Sequence, residues 1–326
     1  MKPIEMKDLQ KLKSNYAKKP IQQALKRVLV KNDLANLFDK QEQKPLTQFR
    51  FSNEIKTMSV TFQKQSGRCW IFAGLNVLRE VIAKKYDIKE FELSQNYTAF
   101  WDKFEKINYF IEAMDDFLDA DQDDRTLQHL LKTGIQDGGQ WDMFVSLIEK
   151  YGVVPMDAMV ETTSSSSTKT MNQIINLKLR QYAANARHLF ADGKKNEIKS
   201  LKEKALDEFY TFLTTNFGTP PETFDFEYMS KDSYQMIKGL TPQKFYTDHV
   251  GDFLNDYVSI INSPTKDKPF MKTYTVAYLG NVIGGREIKY LNLEMKDLKA
   301  LVLKQLLDKE VVWFGADVAR YGDRTS

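Results

Sequence analysis

The chain has 326 residues, 42% hydrophobic and 12% aromatic, with 47 basic against 44 acidic side chains and a net charge of +3. That composition excludes a disordered chain, and the near balance of charge argues against nucleic acid as the main partner. A single cysteine excludes an intrachain disulfide, and no apolar run marks a signal peptide after Met1-Lys2-Pro3-Ile4-Glu5 or a bilayer span, so the expected location is the cytoplasm.

Residues 7–38 read as helical, with Leu9, Leu12, Ile21, Leu25, Leu29 and Leu34 as intermittent apolar anchors and Pro20 as a break. Lys7, Lys11, Lys13, Lys18, Lys19, Lys26, Arg27 and Lys31 are interleaved with acidic and apolar positions there. That is the pattern of a solvated helix face more than of a phosphate-binding stripe. Thr47 to Thr61 reads as extended. After Cys69, the positions Ile71, Leu75, Leu78 and Ile82 share one face and Ala73, Val77 and Val81 an adjacent one, which predicts a core helix. Helices are predicted over Ser94–Leu118 and Thr126–Thr133. Between them Asp119, Asp121, Asp123 and Asp124 form an acidic loop that lacks the glycine and the terminal glutamate of a calcium-binding EF-hand, and it reads as a solvated helix cap.

Asp137-Gly138-Gly139-Gln140 reads as a loop, followed by a helix that stops at Gly152. Glu161-Thr162-Thr163-Ser164-Ser165-Ser166-Ser167-Thr168-Lys169-Thr170 has the composition of a linker. Beyond it Ile175, Leu179, Tyr182, Ala186 and Leu189 mark one amphipathic helix, and Ile198, Leu201, Ala205, Phe209 and Phe212 a second, with a turn at 191–195. Gly218-Thr219-Pro220-Pro221 closes this hairpin. Lys272 to Ile283 reads as strand-rich, Lys296 to Lys309 as a helix with Leu298, Leu301, Leu303 and Leu306 apolar, and Glu310 to Gly315 as a buried strand.

The chemistry concentrates in Gln63-Lys64-Gln65-Ser66-Gly67-Arg68-Cys69-Trp70-Ile71-Phe72-Ala73. A polar loop runs straight into an apolar helix and the cysteine stands at the junction, where unpaired N–H groups and the positive end of the helix dipole favour a thiolate nucleophile. Gln63 is close enough through the loop to aim its amide at the same point. With the Cys69 N–H it would form a two-donor oxyanion hole. The competing reading is a buried structural cysteine.

The same run resembles the papain-like cysteine peptidases, in the form typical of the bleomycin hydrolase and bacterial aminopeptidase C branch. Ser66 takes the place of a disulfide-forming cysteine and Arg68 that of a small residue, both in keeping with the cytosolic branch. Phe62, where that branch more often has a polar residue, reads as a packing change. Further matches lie in 93–97, 100–106, 137–155, 256–262 and 313–318. The resemblance implies that Gly138 and Gly139 line the cleft and hydrogen-bond the substrate backbone, although a lone Gly-Gly more often marks a turn.

The fold it implies is α+β: a papain-like cysteine peptidase fold with a helical insertion and an incomplete barrel-side domain. The expected divisions are an N-terminal helical segment (1–45), a helical half carrying the nucleophile (46–160), the insertion (161–270) and the start of the barrel side (271–326). It further implies peptide substrates, no cofactor or metal, and a homo-oligomer, a hexamer in complete members.

One half of the chemistry is not found in the sequence. The family supplies a histidine base and an asparagine ahead of a tryptophan-containing turn, both after the strand that Val311 to Phe314 resembles. The three histidines here, His129, His188 and His249, lack that context. His249 beside Asp248 is the only conceivable substitute base. The expectation is therefore a C-terminally truncated cysteine aminopeptidase acting through a thioester at Cys69, inactive alone, or else an inactive peptide-binding homologue.

Overall fold

A computed structural model describes residues 3–34, 50–231 and 233–316. The helix expected to continue to Phe38, the start of the extended segment at 47–49 and the end of the 313–318 match lie outside the described residues. The chain divides into two compact units, one of residues 1–54 with 314–326 and one of Ile55–Trp313.

In the first unit, α1 (Met6–Ala17) and α2 (Pro20–Leu29) are separated at the predicted break, with Pro20 in the first turn of α2, where its missing N–H costs nothing. Neither helix contains a buried residue. Leu12 and Ile21 are largely exposed, so the apolar positions expected as anchors are solvent-facing instead.

The core of the second unit is built on α3 (Cys69–Tyr86), α4 (Gln95–Ala113) and α6 (Trp141–Tyr151). Ile71, Leu75, Leu78 and Ile82 of α3 are wholly buried, as their spacing predicts. Ser94 caps α4 by accepting the Tyr97 N–H at 3.0 Å, and Asn96 donates to the carbonyls of Val160 and Phe217. The residues of the 93–97 match therefore join α4 to two distant segments. The acidic loop ends at Asp124, whose carboxylate accepts the Leu127 N–H at 2.8 Å and caps α5 (Arg125–Thr133).

The serine-rich segment is no linker. It contains a short helix, α7 (Thr163–Ser166), opened by a reciprocal Thr162–Ser165 capping box, with Ser165 fully buried. Its composition suggests freedom, but the hydroxyls are engaged: Thr162 and Ser164 on Asn216, Ser165 and Ser166 on Glu161. The helical hairpin follows as predicted, α8 (Lys169–Ala191) against α9 (Lys195–Phe217), with Ile175, Leu179, Tyr182 and Ala186 buried.

Beyond the hairpin lies an element the sequence reading missed. Antiparallel strands β1 (Phe224–Ser230) and β2 (Ser233–Leu240) form a two-stranded ribbon, with Phe224 and Phe226 turned inward. It is followed by α10 (Pro242–His249). A small sheet then has the order β3 (Ile260–Ile261), β5 (Tyr290–Asn292), β4 (Thr273–Tyr274), with β3 parallel and β4 antiparallel to β5.

Of the strand-rich stretch expected at 272–283 only Thr273–Tyr274 pairs; the rest is turn and irregular chain, with Asn281 recruited to a buried carboxylate instead of a ladder. α11 (Met295–Leu307) is present, but none of its residues is buried. The expected buried strand at 310–315 is irregular, with Val311, Val312 and Trp313 half-buried and Phe314 exposed. A run of β-branched and aromatic residues becomes a strand only beside a partner backbone, and none pairs with this one among the described residues.

Candidate functional site

Cys69 opens α3 and is solvent-exposed between two buried neighbours, Arg68 and Trp70. The competing reading of a buried structural thiol is thereby excluded. The helix behind it is anchored in the core along its length, which holds the sulfur on a rigid base.

The incoming chain is fastened to α3 residue by residue. The Met58 N–H donates to Glu80 at 2.9 Å, Arg79 donates to the Ser59 carbonyl at 2.6 Å, and Thr61 exchanges hydrogen bonds with Asn76. These contacts lead the segment from the C-terminal half of α3 toward its start, delivering Gln63 to the loop before Cys69. Ser66 Oγ then donates to the Gln63 carbonyl at 2.7 Å, which closes the turn. Gln63 is half-buried, and its Oε1 is buried without a hydrogen-bond partner among the described residues. Phe62, read as a packing change, is 76% exposed and does not pack into the core.

Arg68 locks the other side of the loop. Its guanidinium makes a two-pronged pair with Glu161, both contacts at 2.9 Å, and its Nε donates to Ser66 Oγ at 2.9 Å. The Gln65 N–H donates to the Ser166 carbonyl at 3.0 Å. At the position of the disulfide-forming cysteine, Ser66 is thus tied non-covalently through Arg68 to the Glu161–Ser166 segment, a bidentate geometry that only arginine supplies.

The Gly-Gly loop comes directly against this assembly. The Gly67 N–H donates to Asp137 Oδ2 at 3.1 Å and the Trp70 indole N–H to the Asp137 carbonyl at 2.6 Å. A Cβ on Gly139 would lie 2.6 Å from carbons of the Trp70 indole, so close packing requires glycine there. Gly138 differs: it is exposed, and a Cβ on it would meet nothing within 4 Å.

Beneath the loop lies a buried charge network that sequence reasoning did not assign. Lys103 donates to Asp137 Oδ1 at 2.5 Å, while Lys106 donates to Asp102 at 2.7 Å and to the carbonyls of Gln136 and Gly138 at 2.9 and 2.7 Å. Asn281 completes the Asp102 carboxylate at 3.2 Å. Burial pushes the Asp102 carboxyl up and is only partly offset by Lys106 and Lys103. For Asp137 burial acts in the same sense but is outweighed by Lys103 and by hydrogen bonds from Lys103, Thr168 and Asn172, which hold the carboxyl well below the usual range. The available signal is the charged run Asp102-Lys103-Phe104-Glu105-Lys106 within the helix predicted over Ser94–Leu118, whose four charges are all buried.

None of the three histidines reaches Cys69. His249 is buried with its Nδ1 2.6 Å from Tyr86 Oη, at the far end of α3 and about 25 Å along the helix from Cys69. His188 lies exposed near the C-terminal end of α8, pairing loosely with Asp192, and His129 is exposed on α5. His249 is therefore excluded as a substitute base.

The helices, the small sheet and the thiol at a core helix start define a papain-like α+β fold. The Peptidase C1-like family profile matches residues 3–326, and the chain belongs to that family. It is 48% identical over 276 residues to an aminopeptidase C of Lactobacillus delbrueckii subsp. lactis, covering 84% of this chain and 62% of that protein. To an aminopeptidase C of Listeria innocua it is 43% identical over 324 residues, covering 99% of this chain and 73% of the other. A bleomycin hydrolase of Gallus gallus is 42% identical over 271 residues, covering 80% and 59% respectively. The crystal structure of PepW from Lactobacillus rhamnosis HN001 superposes with a TM-score of 0.93 at 47% identity, covering 99% of this chain and 73% of that one. The chain therefore spans between 59% and 73% of the length of these four proteins. No helix among the described residues is long and apolar enough to cross a membrane.

Proposed function

We propose that these residues form the nucleophile half of a cysteine-type aminopeptidase, which removes residues from peptide N-termini through a thioester at Cys69. The single observation that carries this reading is the exposed thiol at the start of a buried helix, with the Gln63 loop on one side and Gly138–Gly139 on the other. Cys69 attacks the scissile carbonyl, Gln63 and the Cys69 N–H receive the oxyanion, and the exposed Gly138 main chain aligns the peptide. The names of the similar proteins support the activity and the peptide substrate.

The base and its orienting residue come from outside these 326 residues, since His129, His188 and His249 all stand elsewhere. The same observation favours a second reading for the chain by itself: it holds peptide and reacts through its thiol without turning substrate over. The test pairs the 326 residues, in cis or by co-expression, with the C-terminal part of the Listeria aminopeptidase C. Release of fluorophore from aminoacyl substrates is expected only in the paired form, and Cys69→Ala abolishes it. Cys69-dependent turnover by the 326 residues alone would overturn the assignment of the base. A paired, folded protein without turnover would overturn the aminopeptidase reading.

A further inference from the structure

Asp137 has an unusual density of contacts for a residue beside a glycine loop. Its Oδ1 accepts from Lys103 at 2.5 Å and from Asn172 at 2.9 Å; its Oδ2 accepts from the Gly67 N–H at 3.1 Å and Thr168 Oγ at 2.6 Å. Both oxygens are thus filled by four donors from three separate segments: the nucleophile loop, α4, and Thr168 with Asn172 at the start of α8. The carbonyl of the same residue receives the Trp70 indole N–H, so Asp137 grips the chain both two residues before and one residue after Cys69. The carbonyl of the next residue, Gly138, is held by Lys106.

The consequence is geometric. The nucleophile loop and the Gly-Gly loop lie 70 residues apart in sequence, and they are joined at the site chiefly through this one residue. Its carboxylate is held from relaxing toward solvent, because Lys103 behind it is almost wholly buried and has no other hydrogen-bond acceptor among the described residues. We infer that Asp137, braced by Lys103, is a positioning residue that sets the register of the Gly138–Gly139 main chain against Cys69 and thereby governs capture of a peptide rather than reactivity of the thiol. The inference rests on the reading of Gly138 and Cys69 as the two sides of a peptide cleft.

Two disulfide probes separate capture from reactivity without needing a catalytic base. One is 2,2′-dipyridyl disulfide; the other is a dipeptide amide ending in a cysteamine 2-pyridyl disulfide. With either, the Cys69 sulfur forms a new S–S bond, the probe's own S–S bond breaks, and pyridine-2-thione leaves and is read by absorbance. The wild-type chain is expected to react faster with the peptide probe. In Asp137→Asn, whose amide cannot accept on its nitrogen side, that preference falls about tenfold or more while the dipyridyl rate changes little, in line with the cost of a displacement near 1 Å. Thr168→Val removes one donor to the oxygen that also holds Gly67, leaves all charges in place, and is expected to give a smaller fall in the same direction. It decides the matter if Asp137→Asn does not fold by circular dichroism.

An unchanged preference in the folded variants, or equal losses with both probes, would overturn the positioning role. A wild-type chain that shows no preference for the peptide probe would instead overturn the cleft reading, and the inference with it.

Discussion

Gly139→Ala isolates the packing between the two loops of the site. The added Cβ would lie 2.6 Å from the nearest indole carbons of Trp70, whereas carbon atoms rest about 3.5–4.0 Å apart, so one side must move by about 1 Å. Trp70 has little room to yield, being 4% exposed, and its N–H is committed to Asp137 at 2.6 Å. Overpacking a core position costs about 1–3 kcal/mol, and straining the indole hydrogen bond adds about 0.5–1.5, giving about 1.5–4.5 kcal/mol in all. Backbone conformation does not contribute, because Gly139 is not among the glycines with positive φ. Gly138→Ala is the control: its Cβ enters open space and should change stability by no more than about 0.5 kcal/mol. Urea unfolding followed by tryptophan fluorescence reads both, with a lower midpoint and unchanged slope expected for Gly139→Ala alone. Equal midpoints for Gly139→Ala and the parent, or an equal loss in Gly138→Ala, would refute the steric argument.

Arg68→Lys keeps the charge but forfeits the fork on Glu161 and the Nε contact to Ser66; a loss of about 2–4 kcal/mol is expected in the same urea assay. A change below about 0.5 kcal/mol would show that the pair is incidental. Burial holds the His249 imidazole below its ordinary pKa, so the unfolded chain binds the extra proton first. The stability it contributes is complete above about pH 6.5 and is lost as pH falls through the depressed folded value, and His249→Gln should flatten the stability profile on that acid side. An unaltered profile would count against that burial effect. In a catalytically complete form, Gln63→Ala should lower kcat about a hundredfold to a thousandfold with a smaller change in KM; an effect confined to KM would make Gln63 a substrate-binding group.

The parts of the fold legible in the sequence are those set by local periodicity. The faces of α3, α8 and α9 are visible as apolar spacings, and the helix start at Cys69 as a polar loop meeting an apolar run. The parts misread depend on partners far along the chain. Serines at 164–166 look like linker until Asn216 and Glu161 are seen to receive their hydroxyls. The alternation Phe224-Asp225-Phe226-Glu227-Tyr228 carries a strand signal, but it lies within an insertion whose preceding hairpin reads as helical. At 272–283 and 310–315 apolar composition suggested strands, but most of those backbones have no ladder to join. The site divides along the same line. Cys69, Gln63 and the glycines stand out by residue type. Asp137, Lys103, Arg68 and Glu161 are ordinary charges until the fold buries them opposite one another.

The fastening of residues 58–61 along α3 has a mechanical meaning for the cleft. A helix that carries both the thiol at its tip and, strapped to its flank, the chain leading to Gln63 works as a single ruler. On the cleft proposed above, loosening at the Gly-Gly side is expected to open the grip on a peptide more than it alters the spacing between sulfur and amide, which the strap holds. Substitutions that weaken the strap, at Asn76 or Arg79, would instead let that spacing drift while leaving the glycine wall in place. Damage to grip and damage to chemistry thus originate on opposite sides of Cys69 and can be recognised by which side was touched.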